Sequence, residues 1–467
     1  MTQTHDLIII GSGPGGYVAA IRAAQRGAKV ALVEKRDLGG TCLNRGCIPT
    51  KTIVRDAELY RDLVSGEFGV AIEGHVKPDW PKIAARKLEV VQTLVGGIAH
   101  LLDAYGVEQV VGCGALERDG QVSVESSAGK RYLSAPKAIL ATGSVPALVP
   151  IPGADLPGVI TSDDLLVLTS LPERIVIVGG SVVGVEFACI LQALGVEVTI
   201  LGRRTFLRDA EQQLAKRLRA MLSRRGMSVT IGLEFKQIIQ VDGALRVEYE
   251  RRGKEDFAEG DLVLIATGRW PYTEGLGLEE AGVRLQGDAI QVNERLETSV
   301  PGIYAIGDCI GGLMLAHVAS YEAEVAVENA LGGHRVADYR VVPNCIFTMP
   351  EIADVGITEE QAKEQGLDVN VTRFPFNVNG RALALAETEG QVRMICERDG
   401  EGGGRVLGVH IMGPRASDLV AEAALAMRLG ATAQDIAETI HAHPTVPEAF
   451  MEAAMAQGIG AIHYQHR

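Results

Sequence analysis

The chain has 467 residues, of which 47% are hydrophobic, and it carries a formal net charge of −14 with an isoelectric point of about 5.3. This acidity argues against nucleic acid and anionic membrane surfaces as partners, and apolar runs as short as Leu7–Ile10 cannot span a bilayer. Because the chain enters an apolar strand almost at once, we expect no signal peptide and a cytoplasmic location.

The segment that follows has the pattern of a dinucleotide-binding unit: an apolar strand, a glycine turn, a helix and a second strand. Gly11, Gly13 and Gly16 occupy the three fingerprint positions, and Glu34 closes the second strand. Glycines allow backbone N–H groups to approach a pyrophosphate at the helix N-terminus, and the acid accepts from a ribose hydroxyl. The sequence therefore predicts a dinucleotide site here.

Two cysteines, Cys42 and Cys47, stand in the stretch GGTCLNRGCIPTK at positions 39–51. In a reducing compartment such a pair is more often catalytic than structural. On an ideal helix the two would point about 140° apart, whereas a disulfide needs converging side chains. A bridge therefore requires a distorted helix start, which Gly46 and Pro49 permit. We interpret the other five cysteines as small buried hydrophobes.

The first unit is repeated later in the chain. Gly179 and Gly184 match the outer fingerprint glycines, and Ser181 stands at the middle position. Each unit ends in a matching apolar strand that contains the sequence Ala-Thr-Gly, predicted at 138–146 and at 262–271. This internal duplication predicts two bound dinucleotides.

The two units differ where the adenosine ribose would bind. Glu34 lies 18 residues after the last fingerprint glycine, and the same step in the second unit ends on Gly202, followed by Arg203 and Arg204. An acid at this position favours a free ribose, whereas nearby arginines suit a 2′-phosphate. The second nucleotide is thus NAD or NADP, with a lean to NADP. The alternative is that the arginines form only a solvated loop.

Two further features come from the second half of the chain. Asp308 follows an apolar strand at 303–306, so its carboxylate should lie at the carboxyl end of a sheet, where α/β proteins bind ligands. From Val341 onward the pattern changes to four or five strands, with helices at 417–429 and 432–440. This part predicts an α+β domain.

A second reactive group lies near the C-terminus. His443 precedes Pro444, and Glu448 follows five residues after the histidine. The carboxylate can hold one imidazole nitrogen and leave the other as a base. A dithiol needs such a base because the thiolate is the nucleophile. His441 is at most a supporting residue, and without a third ligand no metal site is predicted.

Together these motifs resemble the class I pyridine nucleotide–disulfide oxidoreductase family, and within it the dihydrolipoyl dehydrogenases, over essentially the whole chain. The resemblance implies FAD in the first unit and a nicotinamide nucleotide in the second. It implies a homodimer formed by the C-terminal domain, in which His443 and Glu448 act on the dithiol of the other subunit. Phe347 stands where the family often has tyrosine.

The resemblance also implies individual roles. Cys42 exchanges with the substrate sulfur, Cys47 lies against the flavin, and Lys51 lies near the flavin N5 edge. Further residues implied at the FAD site are Gly40, Thr41, Gly114, Thr142, Gly143, Ser144, Asp308, Met314, Leu315, Ala316 and His317. Those assigned to the nicotinamide nucleotide are Gly179, Ser181, Val183, Gly184, Glu186, Arg203, Arg204 and Gly268.

The predicted fold class is α/β, with two Rossmann-like dinucleotide-binding domains and a C-terminal α+β dimerisation domain. We expect an FAD-binding domain at 1–147 and an NAD(P)-binding domain at 148–271. A central domain at 272–340 completes the FAD site, and the interface domain spans 341–467.

The leading hypothesis is an enzyme that reoxidises protein-bound dihydrolipoamide through the Cys42–Cys47 disulfide and FAD, passing hydride to NAD(P)⁺. Its partner would be a lipoylated carrier of a 2-oxoacid dehydrogenase, a glycine-cleavage system or another lipoyl protein. One alternative is an NADPH-dependent reductase of another disulfide. Another is a non-catalytic flavoprotein that docks on a complex or senses redox state, although a scaffold has no use for the dithiol and the His443–Glu448 pair together.

Overall fold

The computed structural model describes residues 5–118, 120–399 and 403–465. Two short 3₁₀ turns cover Gly307–Ile310 and Phe376–Val378. The α-helices in these ranges are α1 (Pro14–Gln25), α2 (Gly40–Arg45), α3 (Cys47–Ser65), α4 (Trp80–Ala104), α5 (Ser162–Leu165), α6 (Val182–Ala193), α7 (Gln212–Arg224), α8 (Leu278–Ala281), α9 (Ala316–Ala330), α10 (Glu359–Glu364), α11 (Gly380–Leu385), α12 (Ala416–Leu429), α13 (Ala433–Glu438) and α14 (Glu448–Met455).

The strands form two parallel sheets, one antiparallel sheet and several small sheets. They are β1 (Leu7–Ile10), β2 (Val30–Glu34), β3 (Glu108–Val111), β4 (Cys113–Leu116), β5 (Val122–Ser126), β6 (Gly129–Leu133), β7 (Lys137–Leu140), β8 (Ser144–Pro146), β9 (Val159–Ile160), β10 (Arg174–Val178), β11 (Glu197–Gly202), β12 (Ser228–Ile231), β13 (Glu234–Val241), β14 (Ala244–Arg251), β15 (Lys254–Gly260), β16 (Leu262–Ile265), β17 (Arg269–Pro271), β18 (Leu285–Gln286), β19 (Ala289–Ile290), β20 (Ile303–Ala305), β21 (Asn344–Ile346), β22 (Glu351–Gly356), β23 (Val369–Pro375), β24 (Gln391–Glu397) and β25 (Val406–Gly413).

The first sheet has the order β20-β7-β1-β2-β3, and all of its pairs are parallel. Its central strands are continuous apolar runs because both faces are covered, by α1 and α9 on one side and by the β4–β6 meander on the other. Each fully buried Leu or Ile side chain there contributes about 1.5–3 kcal/mol. The sheet therefore gives the first glycine turn, between β1 and α1, a rigid base.

The second unit repeats this arrangement. Its sheet has the order β12-β11-β10-β16-β9, again wholly parallel, and the β13–β15 meander takes the place of β4–β6. The predicted strands at 138–146 and 262–271 are wrong as single elements. Each breaks at its Ala-Thr-Gly turn into two strands, and the short strands β8 and β17 pair antiparallel with each other. This pair joins the two units.

The last part of the chain is an antiparallel sheet, β21-β22-β25-β24-β23, with α12 and α14 packed on it. Its five strands and the two helices α12 and α13 confirm the α+β pattern. The segment before it sends β20 into the first sheet and lays α9 against α1. The α/β fold class is confirmed, and the exact domain bounds stay a prediction.

Within the described ranges, no helix is both long enough and apolar enough to cross a bilayer.

Candidate redox site

The helix that carries the two cysteines is broken between them. α2 ends at Arg45 and α3 begins at Cys47, while Gly46 between them has φ −142° and ψ −111°. A Cβ atom at Gly46 would lie 3.1 Å from the carbonyl oxygen of Thr41, so a side chain there fits poorly. The distortion expected at Gly46 is therefore present, and both cysteines are free thiols in this structure.

The start of α2 is packed on the first glycine turn. The N–H of Gly39 donates to Ser12 Oγ at 3.2 Å. Gly40 has φ +61°, and a Cβ atom on it would lie 2.6 Å from the Cα of Gly13. Only glycine permits this approach. The dithiol consequently lies beside the turn that the sequence predicts to bind a pyrophosphate.

The first turn itself fits an anionic dinucleotide. Gly13 is the N-cap of α1, the helix has no side-chain cap and no acid in its first turn, and the space beside Gly13 is open. Its N–H groups thus remain available for a phosphate. A Cβ on Gly11 would lie 2.3 Å from Ala141 O, and one on Gly16 would lie 1.8 Å from Gly11 O. These two glycines are fixed by close packing.

Glu34 lies at the end of β2, facing this turn. Its Oε2 accepts from the backbone N–H and the hydroxyl of Ser12, at 2.9 and 2.7 Å, and its Oε1 accepts from the N–H of Arg36 at 2.8 Å. Gly114, on β4, packs against the same sheet, since a Cβ there would lie 3.1 Å from side-chain atoms of Ile10 and Val33. The acid is thus held where a ribose bound at this turn would lie.

The pKa values of the two thiols are shifted in opposite directions. The pKa of Cys47 is lowered to about 7, chiefly by the hydrogen bond from the Cys42 thiol, and the charge of Lys51 lowers it further against the effect of burial. The pKa of Cys42 is raised by that same hydrogen bond, by burial and by the neighbouring Cys47 charge. In the reduced protein Cys47 therefore holds the thiolate and Cys42 the proton.

Lys51 is fixed by an ion pair that joins three parts of the chain. Its Nζ lies 2.8 Å from Glu186 Oε2, on α6 of the second unit, and 4.5 Å from the centre of the Phe347 ring. The backbone N–H of Phe347 donates to Glu186 Oε1 at 2.8 Å. The nucleotide contact of Glu186 stays a prediction, and the sequence predicts no role for Phe347. In the structure both contact the elements that hold the Lys51 ammonium in place.

This arrangement predicts a pH-dependent reactivity. In the reduced protein, alkylation of Cys47 should be fast above about pH 7 and should slow as the pH falls below it, because its lowered pKa leaves it ionised only above that point. Lys51→Met should move the profile to higher pH, since it removes a stabilising charge. Mass-spectrometric rates of iodoacetamide labelling at Cys47 test this, with the exposed Lys82→Met as control. An unchanged profile in Lys51→Met contradicts the role of the lysine.

Asp308 lies in the 3₁₀ turn directly after β20, at the carboxyl end of the first sheet. Its carboxylate accepts from the hydroxyl of Ser144, which itself accepts from Arg269 Nε at 2.7 Å. The N–H of Gly307 donates to the buried carboxylate of Glu322 at 2.6 Å. Arg269 and Glu322 were missed from the sequence, although the Arg269 position next to the second Ala-Thr-Gly turn was a usable signal.

The remaining residues predicted at the first site lie in turns and at the starts of helices. Thr142 Oγ1 donates to the carbonyl of Tyr272 at 2.7 Å. Met314 has φ +43°, and α9 begins two residues later. His317 Nε2 donates to the carbonyl of Pro343 at 2.8 Å, so this side chain ties α9 to the C-terminal part. Of the others, Thr41 lies at the start of α2, Gly143 has φ +72°, Leu315 is the N-cap of α9 and Ala316 is its first residue.

The second glycine turn differs from the first by a side-chain cap. Gly179 has φ +135° and lies against the chain at Ala266, where a Cβ would be 2.1 Å from the carbonyl oxygen. Ser181 Oγ donates to that same carbonyl at 2.6 Å and accepts from the N–H of Gly184 at 3.5 Å. Because its hydroxyl is turned into the protein, the serine caps α6, whose first turn includes Val183.

Backbone contacts show that Gly202 is the counterpart of Glu34. The N–H of Gly11 donates to Val33 O, and the N–H of Gly179 donates to Leu201 O, both at 2.8 Å. The residues after these two carbonyls are therefore equivalent.

The position of the missing acid is filled by another side chain. A Cβ on Gly202 would lie 2.5 Å from Cδ1 of Ile231. Arg203 and Arg204 are exposed, and no hydrogen bond or ion pair of theirs falls within the described residues. Gly268 has φ +139° and borders open space. The second site thus has two uncommitted cations and no acid at this position.

The His443–Glu448 pair is formed. His443 Nδ1 donates to Glu448 Oε1 at 2.8 Å, and the N–H of Thr445 donates to Glu448 Oε2 at 2.7 Å. Burial raises the pKa of Glu448, but these hydrogen bonds outweigh it and the pKa is lowered. His443 Nε2 has no hydrogen-bond partner among the described residues, and the side chain is 79% exposed. The imidazole is oriented as a base that faces outward from its own chain.

No hydrogen bond or ion pair joins this pair to the dithiol within the described ranges. The side chains of His443 and Glu448 bond to each other, and Glu448 also accepts from the N–H of Thr445. His441 is held separately, with Nε2 2.9 Å from Glu422 Oε1. In these same ranges no cluster of three or more His, Cys, Asp or Glu side chains is placed to hold a metal ion.

The prediction that the other five cysteines are buried is wrong for two of them. Cys189, Cys309 and Cys396 are buried, but Cys113 is exposed and Cys345 is only half-buried. Cys113 begins the short strand β4, where alternate residues face solvent.

Two family models cover most of the chain. Residues 5–323 match the pyridine nucleotide–disulphide oxidoreductase model, and residues 342–454 match the dimerisation domain of the same family. The chain belongs to the pyridine nucleotide–disulphide oxidoreductase family. Membership makes it an oxidoreductase that uses FAD and a pyridine nucleotide, and it indicates a homodimer.

Relatives from bacteria and mammals support the same family. The chain is 39% identical to the dihydrolipoyl dehydrogenase of Bacillus subtilis, over 99% of this chain and 100% of that protein. It is 41% identical to that of Thermus scotoductus over the full length of both. With the human mitochondrial dihydrolipoyl dehydrogenase it shares 39% identity, over 97% of this chain and 91% of that one.

Solved structures of the family have the same fold. The HOCl-induced flavoprotein disulfide reductase RclA of Escherichia coli, in its Cu(II) complex, superposes with a TM-score of 0.88 at 29% identity, covering 97% of this chain and 99% of that one. LpdA of Mycobacterium tuberculosis superposes with a TM-score of 0.89 at 28% identity, covering 96% and 99%.

Proposed function

We propose that this oxidoreductase oxidises the dihydrolipoyl group of a lipoylated protein and passes the electrons to NAD⁺ or NADP⁺. The observation that carries the proposal is the thiol pair itself. Cys42 and Cys47 lie at a helix break beside the first glycine turn, and their acidities are opposed. The curated relatives named dihydrolipoyl dehydrogenase support the choice of dithiol.

The substrate half-reaction is a disulfide exchange. A dihydrolipoyl thiolate attacks Cys42 of the oxidised pair, an S–S bond forms between substrate and Cys42, and Cys47 leaves as a thiolate. The second substrate thiol, once deprotonated, attacks the lipoyl sulfur that is bonded to Cys42. The lipoyl ring closes, and Cys42 is released as a thiolate. Two electrons thus move from the substrate to the pair, and the lowered pKa of Cys47 makes it the better leaving group.

His443 is the proposed base for these proton transfers. Glu448 fixes its Nδ1, so Nε2 is available to accept a proton from a substrate thiol. Because the imidazole faces outward from its own chain, we assign it to the dithiol of the other subunit, with His443 of the partner subunit serving this chain.

The first glycine turn, Glu34, Lys51 and Asp308 are the groups proposed to hold FAD. When bound, FAD supplies the two-electron carrier between the dithiol and the pyridine nucleotide. The N–H groups of the glycine turn bind phosphate, and Glu34 and Asp308 accept hydrogen bonds from ribose and ribityl hydroxyls. Lys51 places a fixed cation near Cys47. Glu186 keeps that cation in place.

The dithiol assignment is tested by labelling. The FAD-loaded protein is treated with iodoacetamide before and after one equivalent of dihydrolipoamide, and the peptides are mapped by mass spectrometry. We expect both cysteines to be protected beforehand and Cys47, which holds the thiolate after reduction, to be labelled afterwards. The exposed Cys113 serves as an internal control that should be labelled equally in both samples. Equal labelling of Cys47 before and after would contradict the assignment.

The uncommitted arginines favour NADP at the second site. Replacing both Arg203 and Arg204 by alanine should raise the KM for NADP⁺ by about tenfold or more and leave that for NAD⁺ nearly unchanged, because a phosphate contact to a charged group is worth about 1.5–3 kcal/mol. Steady-state assays with each nucleotide measure this. The exposed Arg252→Ala variant is the control. Equal KM shifts for both nucleotides would contradict a 2′-phosphate site.

The same observation favours a second candidate, an NADPH-dependent reductase of another disulfide. It predicts that NADPH-driven disulfide reduction exceeds dihydrolipoamide oxidation.

A carrier of a 2-oxoacid dehydrogenase, a glycine-cleavage carrier or another lipoyl protein remains the proposed partner of the leading candidate, and the cytoplasm its proposed location.

A further inference from the structure

A buried arginine of the C-terminal sheet contacts the second dinucleotide-binding unit. Arg393 lies in β24, and its side chain is 6% exposed. Its Nη1 donates to Gln213 Oε1 at 2.7 Å, and its Nε lies 3.8 Å from Glu211 Oε1. Its Nη2 donates to Glu359 Oε2 at 2.9 Å. A buried guanidinium is tolerated only when it is paired in this way, so the contact fixes the start of α7 on the sheet.

The start of α7 in turn orders the loop that precedes it. Glu211 Oε2 accepts from the N–H of Leu214 at 2.8 Å and caps the helix. Gln212 Nε2 donates to the carbonyl of Leu207 at 2.9 Å. Holding the first turn of α7 therefore holds the loop at residues 203–210.

That loop rests on the second glycine turn. The N–H of Leu207 donates to the carbonyl of Gly180 at 2.8 Å, and Leu207 itself has φ +45°. Gly180 lies inside the fingerprint, and Arg203 and Arg204 lie at the start of the loop. A continuous series of hydrogen bonds and one ion pair thus leads from the C-terminal sheet to the turn.

We propose that Arg393 is a positioning residue for pyridine-nucleotide binding, acting from the C-terminal domain through α7 on the loop at 203–210. The proposal rests on the proposed function only in placing the nucleotide at the second glycine turn. The affinity of that turn for the nucleotide then depends on Arg393, which belongs to a different domain and touches neither the nucleotide nor the dithiol.

The test compares Arg393→Gln with wild type in the FAD-loaded protein. We expect the Kd for NADP⁺ or NAD⁺, measured by calorimetry, to rise between about two- and thirtyfold, the range for residues that couple to a site without touching it. The KM should rise in parallel, while kcat at saturating nucleotide and the rate of dithiol reduction of the protein stay within about twofold. Arg393→Lys, which keeps the charge, should recover part of the affinity.

Arg373 provides the matched control. It pairs directly with Arg393 across β23 and β24, is exposed, and has no side-chain hydrogen bond or ion pair within the described ranges. Arg373→Gln should leave the Kd unchanged. An unchanged Kd in Arg393→Gln, or an equal loss of nucleotide affinity, kcat and dithiol reduction, would overturn the proposal.

A second variant covers the case in which Arg393→Gln does not fold. Gln213 is exposed and supplies only one of the contacts, so Gln213→Ala should fold and raise the Kd in the same direction by a smaller factor. No change in a folded Gln213→Ala would also overturn the proposal. Because calorimetry reports binding without turnover, it decides the role of Arg393 even where dihydrolipoamide is not a substrate.

Discussion

Cys42→Ser should abolish dihydrolipoamide oxidation while the purified protein remains yellow with bound FAD. The serine hydroxyl cannot form the disulfide that accepts the substrate electrons, so no exchange step remains. The glycine turn, Glu34 and Lys51, which are proposed to hold FAD, are untouched by the change. Steady-state assays with dihydrolipoamide, together with the flavin absorbance of the purified protein, measure both parts of the prediction.

The exposed Cys113→Ser is the control and should retain wild-type turnover. Direct transfer from reduced nucleotide to an artificial electron acceptor needs no dithiol, so it should survive in Cys42→Ser. A colourless Cys42→Ser protein, or one that still oxidises dihydrolipoamide, would contradict the assignment of this cysteine.

His443→Gln should lower turnover by about 10²–10⁴-fold, the usual contribution of a general base. Glutamine preserves much of the side-chain size but cannot accept the proton from the substrate thiol. His334→Gln is a control, since that histidine is also exposed and contacts Arg295 instead of a carboxylate. A loss below tenfold in His443→Gln would leave the residue with a packing role only.

Mixed dimers decide whether the histidine serves the partner subunit. Cys42→Ser and His443→Gln chains are each inactive alone, but a hybrid dimer contains one complete site if the base comes from the other chain. Random pairing makes half of the dimers hybrids, so co-expression should restore about a quarter of wild-type activity. No recovery in confirmed hybrids would show that the base and the dithiol belong to one chain.

The parts of the molecule that were predicted correctly are those in which function depends on neighbouring residues. The two glycine turns, the helix break at Gly46 and the His443–Glu448 hydrogen bond each lie within a few positions of the chain. Backbone approach, helix distortion and side-chain reach are local properties, so spacing alone is informative. The duplication follows for the same reason, because each unit carries its own strand and turn pattern.

The contacts that sequence reasoning missed join distant segments. Glu186 and Phe347 meet Lys51 although 135 and 296 positions separate them from it. Likewise, Ile231 fills the space beside Gly202 because β11 and β12 pair there. Such contacts arise from the packing of whole domains, and no local pattern specifies them. The breaks after β7 and β16 were missed because an apolar run does not reveal where a turn begins.

The most direct test of the central claim is a steady-state assay of the FAD-loaded protein with dihydrolipoamide, comparing NAD⁺ and NADP⁺ at matched concentrations. We expect nucleotide reduction that requires Cys42, with NADP⁺ used at least as well as NAD⁺ because Arg203 and Arg204 have no partner among the described residues. Turnover with NAD⁺ alone would confirm the dithiol chemistry and refute the phosphate site. Absence of turnover with both nucleotides, in a protein that retains its flavin, would contradict the proposed function.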